Sequence, residues 1–373
     1  MKGKRPFTGI VLERMLQIIN SVVLILLVAC YAATEIPPAD FWPLAFITMG
    51  YPIILALTVA FTIYWILRRN WWLFLNIAVL VYRWDVTQAT VQLRQGIAAT
   101  DSTDGIKVMT FNVRLFDYYN WSRNKETRHW TYDFLFNQQP NILCIQEFYH
   151  DNTGYFPTID TLMIVNSIKH AHTENYVTKL NRKQLWGMAT LTSYPIIEKG
   201  RLNFEGTFGN LGIYTDLLIN DDTVRVYNVH LQSIRLSKEG YEILDQLVEK
   251  QELEDMGQGR LLANQMIDAF VKRGQQADLI AEHMAACPYP IILCGDFNDV
   301  PSSYAYQRLA KGMKDSFRES GSGYGNTYVR FPFFRIDNIL HGTAFTTTDH
   351  TVHPYQLSDH FAVSAILHRT EQP

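Results

Sequence analysis

Hydrophobic and polar positions follow two different patterns on either side of residue 100. Before it, residues 15–33 carry no charge and are mostly Leu, Ile, Val and Ala, and residues 41–67 also lack any charge. Each run is long enough to cross a hydrocarbon core, which takes about 20 helical residues. Between them lies a short acidic, proline-containing turn, 34–40. Lys2, Lys4, Arg5 and Arg14 precede the pair and Arg68 and Arg69 follow it. By the positive-inside rule both basic flanks face the cytoplasm, which predicts a hairpin with its tip outside. A cleaved signal peptide is a poor alternative, because a second apolar span follows with no clear cleavage site between them.

A third apolar stretch, 71–82, is interrupted only by Asn76, but Arg83 and Asp85 follow at once. Extended to Leu93 it crosses the bilayer and places the rest of the chain outside the cytoplasm. Lying flat as a tryptophan-rich interfacial helix, it keeps the rest inside. Spanning is the favoured reading. It predicts a transmembrane module over 1–100, with spans at 15–33, 41–67 and a third at 71–93, in an inner or plasma membrane.

From Gly105 onward the period shortens to that of strands. Runs at 106–112, 142–146, 187–192, 212–219, 223–230, 291–295, 336–341 and 362–367 read as strands. The runs 212–219 and 223–230, joined by Asn220-Asp221-Asp222, predict an antiparallel hairpin. Helical spacing connects Tyr241, Leu244, Leu247 and Val248, and again Leu261, Leu262, Gln265, Met266 and Phe270. The charged segment 237–282 reads first as a solvated surface helix, with a cover over the site or a headgroup contact as alternatives. The expected architecture over 101–373 is α/β, two packed mixed sheets flanked by helices around one core.

Charge narrows the partners. With 33 basic and 36 acidic residues the net charge is -3, which does not predict the basic surface of a strong nucleic-acid binder, although a local groove remains compatible. Cys30, Cys144, Cys287 and Cys294 show neither metal-ligand nor disulfide-framework spacing and read as small buried side chains.

The strand-like runs end in polar groups: Asn112, Glu147, His230, Asp296 with Asn298, Asp337, and Asp359-His360 before the last strand. Singly, each has an ordinary explanation. Asn112 caps a turn, Glu147 is a solvated strand end, Asp296 is a turn residue, His230 is a structural histidine, and Asp337 pairs with Arg335 on the surface. Together they are harder to dismiss, since ionisable groups inside apolar segments are costly to bury without partners or a metal.

The motifs Phe111-Asn112, Ile145-Gln146-Glu147, Asn228-Val229-His230-Leu231, Gly295-Asp296-Phe297-Asn298, Arg335-Ile336-Asp337 and Ser358-Asp359-His360 stand in a fixed order. That order resembles the endonuclease/exonuclease/phosphatase superfamily, and 187–195 also looks like a family strand and turn. The superfamily includes pancreatic-type deoxyribonucleases, abasic-site endonucleases, inositol polyphosphate 5-phosphatases, neutral sphingomyelinases and deadenylases. The resemblance covers roughly residues 105–369 and implies a four-layered α/β sandwich with its site at one end of the sheets. It implies that Glu147 binds magnesium, with manganese as a substitute, and that Asn112 and Asp359 contribute directly or through water. Asp296 would orient or deprotonate the attacking water and Asn298 would hold a phosphate oxygen. His360, paired with Asp337, would give a proton or a charge-assisted hydrogen bond, and His230 would act as stabiliser or acid.

Three departures bear on substrate. Arg114 stands where abasic-site nucleases have an aspartate, Phe148-Tyr149-His150 lacks their lysine, and Asp299-Val300-Pro301-Ser302-Ser303 is closer to the sphingomyelinase, phosphatase and deadenylase branches. The expected protein is a membrane-anchored phosphodiesterase or phosphatase whose catalytic domain lies on the non-cytoplasmic side. Its substrate would be a lipid headgroup, a nucleic acid or a small phosphoester, and no protein partner is inferred. A nuclease of the same fold is one alternative, with Arg114, Arg123, Lys125 and Arg128 as one edge of a groove. A catalytically silent phospho-ligand or partner-binding module is the other.

Overall fold

A computed structural model describes residues 7–93, 105–164, 168–179, 183–207, 209–234 and 256–370. Two six-stranded sheets carry the second part of the chain. The first contains β1 (Ile106–Asn112), β2 (Ile142–Asp151), β3 (His170–Lys179), β4 (Gln184–Thr192), β11 (Phe345–Val352) and β12 (Val363–Arg369), in the order β11-β12-β1-β2-β4-β3. The second contains β5 (Ile196–Leu202), β6 (Leu211–Ile219), β7 (Asp222–His230), β8 (Ile291–Asp296), β9 (Lys314–Asp315) and β10 (Asp337–His341), in the order β5-β6-β7-β8-β10-β9. All eight strand-like runs fall on strands, and β6 with β7 is the expected hairpin. The unforeseen strands β3, β5, β9 and β11 all lie towards sheet edges, where a weak apolar alternation suffices.

Val108, Cys144, Val226, Ile292, Cys294 and Val363 pack between the sheets. On the outer face of the first sheet, Phe111 and Leu143 meet Phe134 and Leu135 of α7 (Thr127–Gln138) and Leu162 of α8 (Thr158–Met163). On the outer face of the second, Tyr227 and Leu293 meet Ala277 and Ile280 of α9 (Met256–Ala285) and Leu309 of α10 (Tyr304–Ala310). This is the four-layered α/β sandwich. A five-residue helix, α11 (Ser316–Ser320), follows β9.

Each sheet has one central parallel pair, and both pairs deliver polar ends to the same place. β1 and β2 run parallel with Asn112 opposite Gln146, and β7 and β8 run parallel with His230 opposite Asp296. Inside the sandwich, Gln146 donates from Nε2 to Asn228 Oδ1 at 2.7 Å, and Asn228 donates from Nδ2 to the Ala189 carbonyl at 2.9 Å. These buried amides tie the sheets together next to the site.

Residues 7–90 carry six helices: α1 (Phe7–Ala33), α2 (Pro38–Phe41), α3 (Pro43–Met49), α4 (Tyr51–Arg68), α5 (Trp72–Tyr82) and α6 (Trp84–Thr90). Two of them, over Ile10–Ala33 and Tyr51–Arg68, are long and apolar enough to cross a membrane. Their outer faces expose Ile18, Ile25, Ile53, Ile63 and Leu67, whereas Asn20, Thr58, Trp65 and Asn76 are buried among the helices. Trp65 donates its indole N–H to Asn20 Oδ1 at 3.2 Å. Apolar outside and polar inside reverses the arrangement of a water-exposed bundle.

The expected third span, 71–93, is two helices rather than one. The chain leaves helical geometry at Arg83 (φ -127°, ψ 55°), whose guanidinium holds Thr34 Oγ1 at 2.6 Å and Glu35 at 3.1 Å. The 11 residues of α5 rise only about 16 Å. They nevertheless carry the chain from Asn70, bonded to Glu13, back to the hairpin tip beside Thr34 and Glu35.

The solvated reading of 237–282 is corrected for its described part. Ala269, Phe270, Arg273, Ala277 and Ile280 of α9 are buried, because the helix lies between the hairpin tip and the second sheet. The helical spacing at Tyr241, Leu244, Leu247 and Val248 lies outside the described residues.

Candidate active site

The site forms where the two parallel pairs end. β2 delivers Glu147 through a bulge: pairing with β4 slips between Ile145 and Phe148, and Glu147 takes a positive φ of 50°. A left-handed non-glycine residue costs of order 1 kcal/mol or more, and such strain clusters at functional positions. The bulge turns Glu147 out of the sheet's alternation toward the second sheet. On the other side, Gly295 adopts φ +144°, and a Cβ there would stand 2.0 Å from the Val229 carbonyl oxygen. Only glycine lets β8 lie this close to β7 and set Asp296 beside His230.

The eight residues expected to carry chemistry come together. His360 Nδ1 hydrogen-bonds Asp337 Oδ2 at 2.9 Å, and its Nε2 lies 3.7 Å from Asp296 Oδ2. His230 Nε2 lies 3.7 Å from the same Asp296 oxygen and 3.9 Å from Glu147 Oε1. Asn112 donates from Nδ2 to Asp296 Oδ2 at 3.0 Å and to Glu147 Oε1 at 3.4 Å, while its Oδ1 accepts the Arg114 backbone N–H at 3.1 Å. Asn112 therefore presents N–H groups, not its oxygen, to the carboxylates. Asp296 Oδ1 accepts the backbone N–H of Asn298 at 2.8 Å, which fixes the turn after β8. Asn298 donates one amide hydrogen to the Leu231 carbonyl at 3.0 Å, leaving its second for a ligand in the pocket it lines.

Electrostatics divides the site into two parts. Burial, then the Asp359 carboxylate, pushes Glu147 up to about 7, although about a third of its side chain stays open to the pocket. Burial alone would lower His360, but Asp337 and Asp296 outweigh it and raise the imidazole well above its usual range. Burial likewise raises Asp296, against the opposing pull of His360. The His360 side thus resembles a charged imidazole clamped between carboxylates, whereas Glu147 and Asp359 are a partly open carboxylate pair met at longer range by Arg114, 3.5 Å from Asp359, and by His230, 3.9 Å from Glu147.

This is the observation that tests a metal. Two partly open hard-oxygen carboxylates, with Asp359 near enough to Glu147 to help push its carboxyl up, fit a divalent ion such as magnesium. Asp296, Asp337 and His360 also bring ligand atoms within 4.8 Å of one another and form the alternative metal cluster. There, however, the bond from His360 to Asp337 occupies Nδ1, and a nitrogen ligand suits magnesium poorly. The Glu147–Asp359 side fits better.

Arg335 corrects one expectation. It is buried and pairs with Asp315 at 2.7 Å rather than with Asp337 at the surface, and it also donates to the Ala89 carbonyl at 2.8 Å. Several supporting residues escaped sequence reasoning. Arg273 of α9 donates to Asp299 at 3.0 Å and to the Gln232 carbonyl at 2.9 Å, bracing the loop after Asn298. Thr327 Oγ1 accepts the backbone N–H of Asp337 at 3.0 Å. The one available signal was a polar residue inside an apolar segment, which Gln146 and Asn228 also show.

The pattern across 109–360 matches the model described as the endonuclease/exonuclease/phosphatase family. The chain belongs to that family. Residues 13–90 match a second model, described as a domain of unknown function (DUF8431). Among solved structures, the family protein from Beutenbergia cavernae is similar at a TM-score of 0.51 and 16% identity, covering 71% of this chain and 72% of that one. The family protein from Bacteroides vulgatus is similar at 0.51 and 15%, covering 71% and 99%. The human Nocturnin catalytic domain, with a bound sulfate anion, is similar at 0.50 and 17%, covering 73% and 97%. At these identities the likeness establishes the family fold. No curated protein matches the sequence.

Proposed function

We propose that this protein is a membrane-anchored, metal-dependent hydrolase of phosphoester bonds. The observation that carries the reading is the convergence on one pocket of Glu147 and Asp359 with the buried His360–Asp337 pair, His230, Asp296 and Asn298. Magnesium held by Glu147 and Asp359 would supply charge neutralisation at the phosphoryl oxygens.

The chain's own groups do the rest. Asp296 orients a water and accepts its proton as the water oxygen bonds to phosphorus. Asn298 and the His360 imidazolium hold the phosphoryl oxygens. His230, 3.7 Å from Asp296 Oδ2, donates a proton to the oxygen that leaves as its bond to phosphorus breaks. Asp337 keeps His360 charged and correctly turned. Asn112 fixes the separation of Glu147 and Asp296.

The helical module supports the anchoring and the side. Residues 34–49 and 83–92, which touch the sandwich, lie at the end of the bundle opposite Arg14, Arg68 and Arg69. With the basic end in the cytoplasm, the sandwich faces the non-cytoplasmic side. Domains at 1–100 and 101–373 follow from the same division. The nuclease reading is weaker, since Arg114 is 3.5 Å from Asp359 and lies over Trp121, and Arg128 lies over Phe156. Neither is directed as a free cation toward a phosphate backbone.

The test is turnover of bis-para-nitrophenyl phosphate by the full chain in nanodiscs, with magnesium and with chelator. Magnesium-dependent release of para-nitrophenolate is expected. Specific retention of phosphate compounds without turnover would favour the binding module instead.

A further inference from the structure

The pocket that holds the catalytic groups has a second wall that phosphoester chemistry does not require. Facing Glu147, Asp296 and His360 stand Met49, Leu262, Met266, Phe270, Phe331 and Phe334. Met49 belongs to the helical module, at the last position of α3, and Leu262, Met266 and Phe270 lie on one face of α9 at helical spacing. The two helices are joined at this wall. The rings of Phe46 and Phe270 meet edge-on at 5.1 Å, Ser302 donates its hydroxyl to the Thr48 carbonyl at 3.1 Å, and a Cβ on Gly274 would lie 3.2 Å from Pro38. The tip of the membrane hairpin is therefore built into the active-site pocket.

Charge points the same way. Among the described residues, the arginine that lines the pocket is Arg273, 1% exposed and already paired with Asp299, so these residues offer a polyanionic ligand little to hold more than one phosphate. A ligand suited to this pocket carries one phosphate and an apolar group beside it.

Resting on the hydrolase reading above, we infer that the helical module completes the substrate site, and that the substrate is a bilayer-resident amphiphilic phosphoester. Its phosphate sits at Asn298 and His360, and its apolar chain runs along Met49, Met266 and Phe270 toward the hairpin tip. The chain need not leave the bilayer fully, because the wall begins where the hairpin emerges. Methionines suit this role, since their flexible thioethers accommodate chains of varied shape.

The test compares two substrates with the same scissile bond, methyl para-nitrophenyl phosphate and hexadecyl para-nitrophenyl phosphate, using the full chain in nanodiscs. The wild type is expected to favour the hexadecyl ester by about tenfold or more in kcat/KM, since each buried methylene contributes about 0.8 kcal/mol. In Met49→Gln and, from the α9 side, Met266→Gln, the hexadecyl-to-methyl ratio should collapse toward that of the free chemistry. Equal rates on both esters in the wild type, or a ratio unmoved in both variants, overturn the inference. Failure to cleave either ester sinks the hydrolase reading alone. Binding of hexadecylphosphonate, which has no ester to cleave, then decides this one. Retention above empty nanodiscs that is lost in both variants supports the apolar wall, and equal retention in all three proteins refutes it.

Discussion

The floor and the wall of the pocket are built by opposite means. The floor consists of strand ends from two sheets, locked by short polar contacts such as His360 to Asp337 at 2.9 Å and Asn112 to Asp296 at 3.0 Å. The wall consists of helix faces and a loop whose apolar side chains meet without directional bonds. A floor of this kind fixes atoms within tenths of an ångström, as attack on phosphorus demands. A wall of this kind excludes water and accepts shapes. The difference teaches that chemistry and substrate choice are carried by separable parts of the molecule, joined through α9.

The largest effect should come from the floor. Asp296→Asn and His360→Gln are each expected to lower kcat by about 10²–10⁴-fold, the range for losing a positioned acid or base. Thermal melting of Asp296→Asn should stay close to wild type, and in both variants esters with and without an apolar chain should suffer equally. A selective loss on one ester would erase the distinction between floor and wall. Glu147→Gln should shift the magnesium concentration needed for half-maximal rate upward, as measured by titrating metal into chelator-treated protein.

Next in size is the scaffold common to both. Arg335→Met leaves the Asp315 carboxylate buried beside Tyr306 without its guanidinium. Breaking a buried pair in this way costs about 3–5 kcal/mol. Chemical denaturation should show that loss, with activity on all substrates falling through instability rather than through the rate of the folded enzyme. An unchanged midpoint would mean that the pair does not organise the β9–β10 edge.

A smaller effect sharpens the wall. Phe46→Ala removes one ring of an edge-on pair worth about 0.5–1.5 kcal/mol. It should reduce preference for long-chain esters a few-fold while the pH dependence of kcat stays put. The smallest effect near neutrality is acid sensitivity. Burial holds His172, His350 and His353 at about 4, 3 and 4. Because these groups take up protons more readily once unfolded, their contribution is complete above about 6.5 and is lost as pH falls toward 4. The melting temperature should decline across that window, and His172→Asn should flatten part of the decline.

The floor was legible in the sequence and the wall was not, for a physical reason. Asn112, Glu147, His230, Asp296 and Asp359 interrupt apolar strands, and such interruptions are visible without a structure. Met49 and Phe270 look like any apolar residue on a helix, and only packing across 221 positions makes them neighbours (270 − 49). The break at Arg83 was hidden for a similar reason. A charge beside an apolar stretch reads as a span end, whereas its contacts with Thr34 and Glu35 depend on the hairpin already formed. Arg335 misled through proximity: Asp337 is two residues away in sequence, but its side chain bonds His360, which precedes β12 of the other sheet.

The most direct test of phosphoester hydrolysis at this floor is isotopic. Hydrolysis of bis-para-nitrophenyl phosphate in 18O-water, with magnesium, should place the label in the phosphate product and leave the released para-nitrophenol unlabelled, with both products nearly absent for Asp296→Asn. Label in the phenol, or turnover that persists in Asp296→Asn and in chelator, would contradict the account.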